Sequence, residues 1–390
     1  MSIVTDPKTG LIDGPFQSKL EILSGSKNWY NWAGYAAPST LDTAESEYFA
    51  LRNQASLFDI SPLQKYRIQG EEAVLLLNRL LTRDVRKIKA GRVAYGIWCD
   101  EEGMVIDDGT LFHLGKNDWR LCCQEPMLDW LIEAAWSLKV EIKDESAAIA
   151  ALSLQGPTSF SILSDAGFNL NNIRPFDIYE CSKGILISRT GFTGDLGYEI
   201  WFARENATDL WELIWEHGSK WGLRAIGYDA VNIARIEAGF MTAGVDFMPV
   251  HNTEFLHRGK TPFELGLSKM VDFNKGHFNG RRALIKLKDN PRSRLMRFDV
   301  GGFQPAEGAL IYFKKKREVG HISSGIWSPT TKKSIALGHV QVPYCDSGVL
   351  FAEIYVLKEG QWSKRMENLS EILGPFYAPA RAKLTPPPER

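Results

Sequence analysis

Along residues 41–145 the spacing of hydrophobic positions switches between the period of a helix and that of a strand. LDTAESEYFALRNQASLFDIS opens with Thr43 as an N-cap, and Tyr48, Leu51 and Ala55 follow at helical spacing. KYRIQG alternates as a short strand ending in glycine. EEAVLLLNRLL reads as an amphipathic helix with acids in its first turn, where they complement the helix dipole. RVAYGIWCDEEGMVIDDGTLFHL predicts two strands that turn at Glu101-Glu102-Gly103. WRLCCQ adds a strand, PMLDWLIEAAWSL a helix with Pro126 at its start, and KVEIKD a closing strand. Hairpins stand where a parallel sheet would need crossover helices, so the class is α+β with an antiparallel sheet.

A similar order returns downstream. IAALSLQG is a strand, PTSFSILSDAG a helix, YECSKGILISRT a hairpin and YEIWFA a strand. NATDLWELIWEHGSKWG is a helix that gathers Leu210, Leu213, Ile214 and His217 on one face, and YDAVNIARIEAGF begins another near Tyr228. From about residue 293 the texture changes to short strands between Gly and Pro turns: RLMRFDV, ALIYF, EVGHISSG, SIALGHVQV and LFAEIYVL. This predicts a separate all-β domain joined through KLKDNPRS, with LTPPPER as an extended, frayed tail. The expected division is a discontinuous α+β lobe from 1–65 and 146–290, a second lobe over 66–145, and a β-barrel-like domain over 291–390.

Composition narrows the classes. Hydrophobic residues make up 44% and charged residues 24%, enough to bury real cores in a chain of 390 residues. A net charge of −1 offers no basic field for nucleic acid. No run reads as a signal peptide or a membrane span, and the five cysteines form no C-x-x-C pair, so the expected setting is cytoplasmic with reduced thiols. The seven histidines make no paired spacing, and no metal site is expected.

Two stretches carry candidate chemistry. SRTGFTGDLGYEIWF, residues 188–202, spaces three glycines three apart. A dinucleotide fingerprint would put a helix after such a loop, but YEIWF alternates as a strand, so no helix N-terminus meets a phosphate here. The glycines read as turn residues needed for positive φ. Tyr198, Ile200 and Phe202 share one face of that strand; Glu199 and Trp201 share the other. A carboxylate beside an indole suits a flat heterocycle with adjacent N–H donors; the alternative is a solvent-facing glutamate on an edge strand. In EEGMVIDDGTLFHL, Asp107 and Asp108 are neighbours in a strand and face opposite sides. One can hold turn amides, and the other can sit in a cavity and manage a proton or a cation.

Taken in order, NWAGYAAP, LRNQASLFDIS, LTRDV, AYGIWCDEEGMVIDDGTLFHL, ALSLQGP, SRTGFTGDLGYEIWF, RIEAGF, TPFELGLSKMV, FNGRRAL and VGHISSGIWSPTTKKSIALGHV resemble the glycine cleavage T-protein (aminomethyltransferase) family over nearly the whole chain after residue 30. The resemblance implies a three-domain cloverleaf, two ferredoxin-like lobes and a barrel, around a channel that holds tetrahydrofolate. It implies that Asp108 is the essential acid near folate N5 and that Glu199 grips the pteridine. It places Tyr95, Phe192 and Gln124 against the cofactor and retains Arg235.

The sequence also departs from the family pattern. YNWAGYAAP stands for D-F-A-G-W-x-M-P, Pro62-Leu63 for a His-Met pair, and GYDAVNIARIEA lacks the arginine that meets the folate tail. These changes fall near the donor side and the folate tail, while the pterin grip is kept. The resulting expectation is a transferase moving a methyl group from a small methylated amine, sulfonium or methoxy donor to N5. Trp32, Tyr35, Tyr66 and Trp98 would bind that donor through their aromatic faces. The alternatives are an aminomethyltransferase working with a lipoylated carrier protein, and a folate-binding regulator without turnover.

Overall fold

The computed structural model describes residues 10–181, 184–254 and 258–387. A six-stranded sheet runs in the order Ile178–Glu180, Leu186–Ser188, Gly197–Ala203, Ile149–Gln155, Ala55–Asp59 and Leu223–Ala225. Its pairings are antiparallel except the last. A five-stranded antiparallel sheet runs Arg92–Cys99, Val105–Gly115, Asp118–Cys123, Gln64–Gln69 and Glu141–Asp144. Six further strands between Ser293 and Glu371 close into a barrel. The α+β class and the C-terminal barrel are those read from the sequence.

Alternation along the strands decides the layering. Tyr198, Ile200 and Phe202 pack with Phe160, Leu210, Trp211 and Ile214, so helices Ser159–Asp165 and Ala207–Ser219 cover one face of the six-stranded sheet. Trp98, Leu111, Leu121 and Tyr66 pack with Leu76, Leu77, Leu80 and Leu131, which puts helices Ala73–Leu80 and Leu128–Ala134 on one face of the five-stranded sheet. The two remaining faces meet each other. Ala151 and Trp201 from one sheet share a buried cluster with Val93, Phe112 and Cys122 from the other. Trp201 meets Phe112 edge to face at 5.3 Å.

Helix Ala44–Asn53 begins at Thr43, whose side chain accepts from Ser46 N, as its N-cap position predicts. Its Arg52 is the centre of a buried ion cluster that ties the lobes to the chain end. Arg52 Nη2 meets Glu237 Oε2 at 2.7 Å and Nη1 meets Asp195 Oδ2 at 3.0 Å, while Arg381 donates to both oxygens of Asp195. The C-terminal stretch is not frayed up to residue 387. Arg189 donates to Ala382 O, Leu384 O and the Thr385 hydroxyl, and these bonds pin it.

Candidate active site

The facing surfaces of the two sheets hold the candidate chemistry. On strand Val105–Gly115, Asp108, Thr110 and Phe112 share the face turned to the other sheet, and Phe112 is the residue that touches Trp201. On strand Gly197–Ala203, Glu199 lies two residues from Trp201 on the same face. Burial pushes the Cys122 thiol up and the charge of Glu199 adds a smaller rise, which sets Glu199 near Cys122, and Cys122 pairs in register with Thr110. Asp108 is two residues beyond Thr110, about 7 Å along the strand. The two carboxyls therefore border the same space between the sheets.

Each is packed about by protein and yet keeps some accessible surface. Burial pushes Asp108 up to about 6 and Glu199 up to about 7. Hydroxyls are their hydrogen-bond partners. Tyr95 OH donates to Asp108 Oδ2 at 2.8 Å. Thr190 Oγ1 donates to Glu199 Oε2 at 2.5 Å, with Ser188 and Trp201 Nε1 behind it at 2.6 and 3.2 Å. No ion pair to either acid occurs among the described residues.

Asp107 has the other role foreseen for this pair. It is fully buried on the helix side and accepts from the amides of Asp108 and Glu125 at 2.8 and 3.1 Å, fixing the turn after Cys123. Gln124 in that turn donates to Ala243 O at 3.3 Å. Phe192 stacks on Phe240 at 5.8 Å, and both rings remain more than a third exposed, at 37% and 39%.

The glycines of the Glu199 hairpin do different work from that expected. Gly194 alone of the three has positive φ, at +69°. Gly191 and Gly197 make room for Gln155: a Cβ on either would stand 2.1 Å from its Oε1. Gln155 in turn donates to Thr190 O at 3.2 Å and accepts from Thr193 Oγ1 at 3.0 Å, so the buried amide sets the loop that carries Thr190 to Glu199.

Three expected ligand contacts are corrected. Trp98 pairs with Asp107 and Tyr66 with Leu121, which places both rings on the helix-covered face, opposite Asp108. They are core residues; Tyr66 OH receives Met127 N at 2.9 Å. Arg235 is 1% exposed, and its donors meet Asp246 Oδ2, Ser324 Oγ, Phe240 O and Asn232 Oδ1. It locks helix Tyr228–Glu237 to the barrel and has little left for a cofactor. Trp32 and Tyr35 sit on the small hairpin Asn28–Trp32/Tyr35–Thr40, half-buried, with Trp32 stacked on Phe58 at 5.7 Å. Thr190 and Ser188 were missed, although S-x-T directly before the glycine loop is visible in the sequence.

Comparison with known proteins gives this arrangement a family. Residues 24–275 match the model of the GCVT N-terminal domain, and residues 294–361 that of the glycine cleavage T-protein C-terminal barrel domain. The chain belongs to the glycine cleavage T-protein family. It is 34% identical to an aminomethyltransferase of Caldanaerobacter subterraneus subsp. tengcongensis over 82% of this chain and 85% of that one. It is 30% identical to an aminomethyltransferase of Bacillus pumilus over 90% and 95%. The crystal structure of the glycine cleavage system aminomethyltransferase T from Bartonella henselae superposes with a TM-score of 0.83 at 25% identity, covering 94% of this chain and 98% of that one. The family is one of tetrahydrofolate-dependent transferases, which makes this chain an enzyme with tetrahydrofolate as its cofactor. Among the described residues no helix is long and apolar enough to cross a membrane.

Proposed function

We propose that the protein transfers a one-carbon unit to N5 of tetrahydrofolate, and that the unit arrives as the aminomethyl group of a lipoylated carrier protein. The folate half rests on one observation: two desolvated carboxyls, Asp108 and Glu199, lie on the facing surfaces of the two sheets with hydroxyls as partners and no cation among the described residues. Such groups gain most from a neutral ligand that brings N–H donors. A reduced pterin does so through its aminopyrimidine edge and its N5, so the residues present fit it. When bound, tetrahydrofolate supplies the nitrogen that accepts the carbon.

Glu199, aimed by Thr190, would hold the aminopyrimidine edge. Asp108 would hold a proton or a water at the accepting nitrogen and offset the positive charge that develops there, with Tyr95 fixing one carboxyl oxygen. A pKa of about 6 lets Asp108 give or take that proton near neutrality. Packing of the two sheets around the gap limits competing water. The donor half rests on the relatives, which are aminomethyltransferases. They favour the carrier-borne unit over the small methyl donor expected from the sequence.

A second reading keeps the acceptor and takes a methyl group from a small methylated cation. Tyr30 lies 6.5 Å from Trp32 and 5.5 Å from Tyr228, an aromatic group suited to such a charge. One experiment separates the readings: supply tetrahydrofolate with either the aminomethyl-loaded carrier or a panel of methylated amines. Methylenetetrahydrofolate and ammonia from the carrier support the first. Formation of 5-methyltetrahydrofolate from an amine replaces it with the second, and absence of folate binding by calorimetry sinks both.

A further inference from the structure

The chain end holds both feet of the loop that aims Glu199. After the last barrel strand, Gln361–Glu371, the chain leaves the barrel and runs back to the first lobe: Ile372 N donates to Arg297 O at 2.8 Å and Tyr377 N to Glu237 O at 2.9 Å. Arg381 then lays a two-pronged bond on Asp195, Nε on Oδ1 at 2.7 Å and Nη2 on Oδ2 at 2.8 Å. Beyond it the roles reverse. Arg189 reaches out to the chain end and donates to Leu384 O at 2.7 Å, the Thr385 hydroxyl at 3.1 Å and Ala382 O at 3.2 Å. Arg189 and Asp195 bracket residues 190–194, which carry Thr190, the donor to Glu199 Oε2, and Phe192.

This loop has little stiffness of its own. Two of its five residues are glycine, and Gly194 sits at φ +69°. The bond from Thr190 to Glu199 is directional, so a loop whose feet shift would lose it. Gln155 supports Thr190 from the core of the sheet; the chain end fixes the feet. Both ties are costly to break. The side chains of Asp195 and Glu237 are fully buried and share Arg52, and Arg381 supplies the second cation. Without it two buried carboxylates would depend on one guanidinium. Arg189 is 4% exposed and forms no ion pair among the described residues; apart from Ile173 O, its side-chain acceptors all lie on the chain end.

The structure assigns Arg381 as a positioning residue: through Asp195 it fixes the loop whose Thr190 orients Glu199, and so it strengthens the binding of tetrahydrofolate. This rests on the folate reading above. Its test is a double-variant cycle in tetrahydrofolate dissociation constants from calorimetry, with the urea midpoint of each variant recorded beside it. Thr190→Val removes the donor to Glu199 and should weaken binding about 10-fold, and Arg381→Met should weaken it about 3- to 10-fold. The double variant should bind no more than about twofold more weakly than Thr190→Val, because both changes act through one bond.

Losses that multiply in the double variant would show that Arg381 does not act through Thr190 and would overturn the assignment. So would an unchanged dissociation constant in Arg381→Met beside a lowered urea midpoint, the mark of a cation that only stabilises the fold. Should Arg381→Met fail to fold, Arg381→Lys keeps a charge at Asp195 without the two-pronged geometry and runs through the same cycle with the same outcomes. Failure of the unaltered protein to bind tetrahydrofolate strikes the folate reading itself, and the assignment with it.

Discussion

Two sets of buried acids lie within one molecule and live under different rules. Asp195, Glu237 and Asp246 each face a guanidinium: Arg52 and Arg381 hold the first, Arg52 the second, Arg235 the third. Asp108 and Glu199 face hydroxyls. The first set is complete in the free protein and joins helices, hairpin, barrel and chain end. The second is incomplete until something with N–H donors arrives. Burial alone does not separate a functional acid from a structural one; what separates them is whether the fold itself supplies the opposite charge.

The largest test of that distinction removes a cation. Arg52→Met leaves Glu237 with the hydroxyls of Tyr48 and Ser328 and no counter-charge. It should destabilise the protein by about 3–5 kcal/mol, read as a fall in the urea midpoint. Glu199→Gln, by contrast, should leave the midpoint unchanged or raise it, because the fold offers its carboxylate no cation to lose. Equal destabilisation by both would erase the contrast. On the functional side, Asp108→Asn should lower turnover about 100- to 1000-fold in a tetrahydrofolate transfer assay while changing folate affinity much less. Equal losses in the two would mean that Asp108 binds the ligand and does not act on the transfer.

This contrast was half legible in the sequence. The opposed facing of Asp107 and Asp108 follows from strand alternation, and so does the pairing of Glu199 with Trp201 on one face. The same rule, applied across strands, would have kept Trp98 and Tyr66 out of the donor site. It needed the register that pairs Trp98 with Asp107 and Tyr66 with Leu121, and register is set by partners distant in the chain. Arg235 was misread for a related reason, since its counter-ion Asp246 sits in an irregular loop with no periodic pattern. The glycine stretch gave its hairpin correctly. It could not show that Gln155, from a different strand, decides why Gly191 and Gly197 must lack a side chain.

A smaller effect is expected in the pH dependence of the free protein. Glu199 and Asp108 have folded-state pKa values of about 7 and about 6, above their unfolded values. Groups raised in this way favour the folded state when protonated. Their contribution is whole below the unfolded pKa and is lost as pH climbs through the folded one. The melting temperature of the unaltered protein minus that of the Asp108→Asn, Glu199→Gln double variant should therefore fall between about pH 4 and pH 7.5. A flat difference would show that neither group is desolvated. His339, which burial lowers to about 4, is common to both proteins and drops out of the subtraction.

The finest test leaves all charges in place and moves only an amide. Gly191→Ala puts a methyl group where Gln155 Oε1 now lies, and Gln155 is 2% exposed, so its amide cannot swing out into water. The shift breaks its bonds to Thr190 O and Thr193 Oγ1, at a cost of about 1–2 kcal/mol in stability. Thr190 then loses its aim on Glu199. Folate affinity should fall several-fold, with the turnover of bound folate nearly unchanged, since Asp108 and Tyr95 belong to the other sheet. Gly194→Ala strains a positive φ and sets its Cβ 2.6 Å from Ala238 Cβ without touching Gln155, so it should cost about 2–3 kcal/mol in stability with a weaker effect on affinity. If the two substitutions weaken folate binding equally, the loop matters only as a turn. If Gly191→Ala alone does so, Gln155 is the part of the core that positions the pterin-facing acid.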